Sequence, residues 1–67
     1  MYPNLNAEMA RADITKTDLA KAIGKSRATL SMKLSGKCAI EIREAFAMKE
    51  AIGCHNVTLD ELFAWRD

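Results

Sequence analysis

Apolar residues recur along the chain in short stripes of helical period, each closed by a glycine or a small polar cluster. Leu19, Ala20 and Ile23 form one stripe, Leu30 and Leu34 form another, and Gly24 stands one residue past the first. This spacing predicts two short helices, one starting at Lys16 and one running from about Arg27 to Ser35, joined at a sharp turn. Gly24 suits a left-handed backbone angle at the end of the first helix, and Ser26 is placed to cap the second. Ala20, four residues before the glycine, falls where the second helix must cross closely, and a larger side chain there would push the two apart.

The flanking stripes predict the remaining elements. Leu5, Met9 and Ala12 share a face of a first helix that ends near Ala12 or Asp13, with Pro3 setting an extended lead-in and Asn4 as its expected cap. Its expected place is over the back of the second helix. Thr15-x-x-Asp18 is a capping-box variant, and Ile14 with Leu19 supplies a hydrophobic staple. After a connector from Cys38 to a weak cap at Glu41, a fourth helix is expected from near Ile42, carrying Ala45, Phe46, Met48, Lys49 and Ile52 and ending at Gly53. Phe46 and Ile52 are assigned to the core. Thr58-x-x-Glu61, with Val57 before it and Leu62 inside, repeats the cap and staple for a last helix, after which Phe63 closes the core. The expected fold class is all-α, a compact bundle of four to five helices over residues 1–67 as a single domain.

Ala20, Gly24 and Leu30-Ser31, with Ser35-Gly36-Lys37 closing the second helix of the pair, resemble the helix-turn-helix of the lambda repressor and Cro type, the XRE family. Val57-Thr58-Leu59-Asp60-Glu61-Leu62-Phe63 is similar to the last helix of that family, and the two matches in register cover most of the chain. The resemblance implies sequence-specific binding of double-stranded DNA, with helix 26–35 in the major groove and a phage-type transcriptional regulator, a repressor, as the function. It places base-reading positions at Arg27, Ala28 and Met32, and Ser31 on the same face is expected to read bases with them. Phosphate contacts are expected from Lys16, Thr17, Lys25, Thr29, Ser35 and Lys37. The commoner residue at the Arg27 position is glutamine, which leaves the preferred base there open. A homodimer on DNA is also implied, because one short helix reads too few bases. Trp65, a large aromatic without an obvious core place, is expected at or near the dimer contact, with packing against the first helix as the alternative. The alternative reading is a protein-interaction module of the same fold, such as an antitoxin.

The residue chemistry of the third helix agrees with that expectation. With Leu30 and Leu34 turned inward, Arg27, Ala28, Ser31 and Met32 are left on the opposite face, flanked by Thr29 and Lys33. An arginine bridges the two acceptors of a guanine edge, and a thioether packs on thymine methyl groups. Free amides and the positive dipole end at the start of the second helix favour a phosphate beside Lys16.

Net charge is only +1, but its distribution changes the picture. Between Arg11 and Lys37, seven basic residues (Arg11, Lys16, Lys21, Lys25, Arg27, Lys33 and Lys37) stand against Asp13 and Asp18. From Cys38 onward three basic residues face six acidic ones. At 67 residues and 49% hydrophobic composition the chain has material for one small helical core. No apolar run approaches the roughly 20 residues that cross a bilayer, and no secretory pattern opens the chain, so a cytoplasmic location is expected. Cys38 and Cys54 lack the spacing of a metal site and read as free thiols. Cys54-His55 offers too few ligands for zinc and no orienting group for a nucleophile, with His55 expected in an exposed loop. No cofactor, metal, small-molecule substrate or catalysis is expected.

Overall fold

The computed structural model describes residues 1–67 as five helices without strands: α1 Pro3–Ala12, α2 Lys16–Ile23, α3 Arg27–Leu34, α4 Ile42–Ile52 and α5 Leu59–Leu62. Local chemistry sets most of these boundaries. The Thr15 hydroxyl accepts the Asp18 amide while the Asp18 carboxylate accepts the Thr15 amide, so α2 begins on a complete capping box. Thr58 and Glu61 make the same reciprocal pair at α5. The Ser26 hydroxyl accepts the Thr29 amide and starts α3. Between α2 and α3, Gly24 adopts φ +68°, and its amide closes the last turn of α2 onto the Lys21 carbonyl.

The start of α1 differs from expectation. Tyr2 is the cap position and Pro3 the first helical residue, where its missing amide costs nothing. Asn4 therefore lies inside the helix, and its Nδ2 donates to the Glu61 carbonyl at 2.7 Å, tying α1 to α5. Tyr2 packs edge-on against both Phe63 and Trp65. The chain ends also pair, with the Met1 amino group donating to the Arg66 carbonyl and the Arg66 amide to the Met1 carbonyl, each at 3.0 Å. These ties draw α1 onto α4 and α5, not over the back of α2.

Leu5, Met9, Leu19, Ala20, Leu30, Met48, Ile52 and Leu62 form one buried cluster contributed by all five helices. α2 is its centre, packed against both α3 and α4. Ile14, Ile23, Leu34, Val57 and Phe63 pack against it at its margins, as expected of Phe63 and of the outer members of the two staples. Phe46 is not core. The inward stripe of α4 is Glu44, Ala45, Met48 and Ile52, which turns Phe46 to the opposite face with 55% of its surface exposed. A charged residue takes the inward position at the first turn of α4, where an apolar one would have marked the stripe. No helix is long and apolar enough to cross a membrane.

Two substitutions test the α2–α3 geometry. A Cβ built on Gly24 meets nothing within 4 Å, so Gly24→Val should act through backbone strain alone, lowering stability by roughly 1 to 3 kcal/mol. Ala20→Leu should overpack a position that is 4% exposed by roughly 1 to 3 kcal/mol. Thermal melts should show both losses, and an unchanged melting temperature in either variant would contradict the crossing described.

Candidate nucleic-acid interface

The outward face of α3 follows from what its inward face must bury. Leu30 is fully enclosed and Leu34 packs against the core, which leaves Arg27, Ala28 and Met32 exposed and Ser31 half-buried beside them. Met32 keeps 42% of its surface in solvent. Thr29 lies at the flank, half-buried, its hydroxyl accepting that of Ser26 at 3.0 Å. The result is a strip one helix wide, apolar at Ala28 and Met32 and headed by a guanidinium with no partner in the chain.

Lys33, expected at the other flank, is buried. It lies three residues after Leu30, on the core side of the helix, and its Nζ donates to the Ala39 carbonyl at 2.9 Å and meets Glu44 Oε1 at 3.0 Å. The same carboxylate accepts the Glu41 amide, and so also closes the start of α4. That amide bond, followed by the Lys33 ammonium, holds the Glu44 carboxyl below its ordinary value. One buried pair therefore fastens α3 to the N-terminus of α4. Its sequence signal was weak: a glutamate three residues after Glu41, the reach-back spacing of a capping box without the usual cap residue.

Pairing also sorts the basic cluster. Arg11 is engaged with Glu8 and Lys33 with Glu44, whereas Lys16, Lys21, Lys25, Arg27 and Lys37 are exposed and make no ion pair. Lys16 and Thr17 occupy the first turn of α2, where their amides precede the first intrahelical bond and point to solvent. Asp18 in that turn has its carboxyl lowered, chiefly by the Thr15 amide and hydroxyl. Lys25 lies in the turn before α3. Ser35 follows α3 with its hydroxyl donating to the Met32 carbonyl at 2.9 Å, and Lys37 is two residues beyond.

The turn that carries Ser35 and Lys37 has a buttress the sequence did not reveal. Gly36 has φ +87°, and a Cβ there would come within 2.7 Å of the Trp65 ring. The indole rests on the bare glycine and on Tyr2, its Nε1 donating to Asp67 at 2.8 Å, and 46% of the residue remains exposed. The C-terminal tail thereby covers the turn behind α3. Cys38 and Cys54 are half-buried free thiols, and His55 is exposed.

A family model described as the Cro/C1-type HTH DNA-binding domain matches residues 4–66. The chain belongs to that family. Its partner as a Cro/C1-type domain is DNA, and the family is a non-catalytic one. Comparison with curated proteins and with solved structures returns no match. The α2–α3 pair and α5 with its Thr58 cap all lie within the matched residues.

The Lys33–Glu44 pair makes stability depend on acid. Because the folded carboxyl is held below the ordinary value of 4.5, its contribution is complete above that pH and disappears as pH falls through the lower folded value. Glu44→Gln keeps an acceptor for the Glu41 amide but leaves Lys33 buried and uncompensated, at a cost of roughly 2 to 3 kcal/mol near neutral pH. Urea titrations between pH 7 and 3 should show that loss at pH 7, narrowing as the parent protein is acidified. A gap that stays constant with pH would place the stabilising charge elsewhere.

Proposed function

We propose that this Cro/C1-type domain is a transcriptional regulator of the repressor kind that reads duplex DNA with α3 in the major groove. The observation that carries the reading is the outward side of α3: Arg27 is exposed without an ion-pair partner beside Ala28, Ser31 and Met32, and four more unpaired cations, Lys16, Lys21, Lys25 and Lys37, lie on α2 and in the turns before and after α3. Arg27 at the first turn presents a two-pronged donor suited to guanine O6 and N7, and Ala28 and Met32 suit thymine methyl groups. Ser31 adds a short hydroxyl between them. Lys16 and the free amides of Lys16 and Thr17 take one phosphate, in keeping with charge and dipole at a helix start. Lys25 and Thr29 take phosphates at one end of α3, and Ser35 and Lys37 at the other. Ser35 does so by releasing the Met32 carbonyl. This concentration of free cations over α2, α3 and the adjoining turns favours DNA over a toxin-like protein partner.

The regulator acts as a homodimer, since a single face of four readers discriminates poorly and paired domains span two half-sites about one turn apart. The pair meets through the acidic region after Cys38, with Trp65 close to the contact.

Selection from a random duplex pool should return an inverted repeat. On that site Arg27→Ala should cost roughly 1 to 3 kcal/mol and flatten the preference at one position per half-site. Lys16→Ala and Lys37→Ala should instead weaken selected and scrambled duplexes alike, each lowering the slope of log affinity against log salt by about one. Equal weakening of both duplexes by Arg27→Ala, with altered base preference in Lys16→Ala, would overturn the placement of α3.

A further inference from the structure

The outer face of α4 is unlike the rest of the surface. Ile42 and Phe46, one turn apart, are 64% and 55% exposed, and Ile42 lines an open groove of about 310 Å³ between α4 and α5. Six of the seven residues lining it are apolar, including Ile40, Ala45, Leu59 and Phe63. Liquid water occupies roughly 30 Å³ per molecule, so the groove has room for an aromatic ring. An exposed phenylalanine one helical turn from a residue of that hollow gives the outer side of α4 both a knob and a socket. That arrangement is self-complementary, because in a two-fold interface each copy offers both.

We infer that a second copy of this chain docks on this face, α4 crossing α4 antiparallel near Phe46. The inference rests on the homodimer reading above and specifies its interface. The charges decide both the occupant and the direction. Arg43 and Glu50 lie on the same outer strip as Phe46, one on each side of it along the helix, both exposed and neither ion-paired. Antiparallel crossing at Phe46 brings each Arg43 opposite the other copy's Glu50, whereas a parallel crossing sets like charges together. Two pairs then flank an apolar centre. Trp65 borders this interface through Tyr2, which lines the groove and packs on the indole.

The area sets the strength. α4 has 11 residues and is about 16 Å long, so a crossing of two such helices falls well short of the roughly 800 Å² per partner of a stable complex. The pair therefore forms weakly in solution and firmly on DNA, where neighbouring half-sites raise the effective concentration.

The test is a charge swap read by sedimentation of the full chain, alone at up to about 1 mM and on duplexes carrying one or two pool-selected half-sites. Arg43→Glu and Glu50→Arg should each weaken pairing in solution and on the two-site duplex by roughly tenfold, and the combined variant should restore it. Phe46→Ser should abolish pairing with the fold intact by circular dichroism. Affinity for the single half-site should move in opposite directions for the two charge variants, as their net charge does. Failure of the DNA reading would appear as no half-site binding, and the solution arm would still decide the interface. Additive losses in the combined variant, or absence of pairing in both arms, would overturn the inference.

Discussion

The close crossing of α2 and α3 is the constraint on which the other elements depend. A left-handed residue at Gly24 reverses the chain within three residues, and Ala20 lets α3 approach so that Leu30 can be enclosed completely. α2 also packs against α4, whose Met48 and Ile52 complete the cluster. The Lys33–Glu44 pair then fixes α3 from its far end, because the carboxylate that holds Lys33 also holds the first amide of α4. An orientation set at both ends of an eight-residue helix leaves its outward face little freedom. That rigidity is what a reading surface requires, since hydrogen bonds to base edges tolerate little misplacement.

Local signals were the legible part of the sequence. Thr15 with Asp18, Ser26, Gly24 and Thr58 with Glu61 each act within four residues, so their chemistry is decided by spacing alone and reappears in the structure where expected. What spacing leaves open is which of two plausible faces a helix buries. In α4 the apolar Phe46 suggested one stripe, and the realised stripe starts at the charged Glu44. In α3 a lysine in a basic run suggested a solvated flank, although its position three residues after Leu30 turns it inward. Both departures involve one pair of opposite charges, Lys33 and Glu44, that bury each other across the α3–α4 connector, where neither helix's own periodicity marks them. Asn4 is the same lesson at smaller scale: a good cap residue placed inside the helix by Pro3 and used to hold α5.

The outward face of α3 was legible for a complementary reason. Leu30 and Leu34 leave only one way for the helix to turn, and the residues opposite them then follow from helical geometry. The division of the surface follows too. Unpaired cations are concentrated on α2, α3 and the turns beside them, while the outer strip of α4 combines apolar bulk with both charge signs. One face suits a polyanion, and the other suits a surface like itself. The C-terminal tail lies between them, its Trp65 resting on Gly36 behind α3 and on Tyr2 at the edge of the groove.

Alkylation footprinting on a pool-selected duplex addresses the placement of α3 most directly, because dimethyl sulfate methylates guanine at N7 in the major groove and adenine at N3 in the minor groove. With α3 seated in the major groove, guanine N7 should be protected at one position in each half-site while adenine N3 stays reactive throughout. Protection of adenine N3 with guanine N7 left open would contradict it.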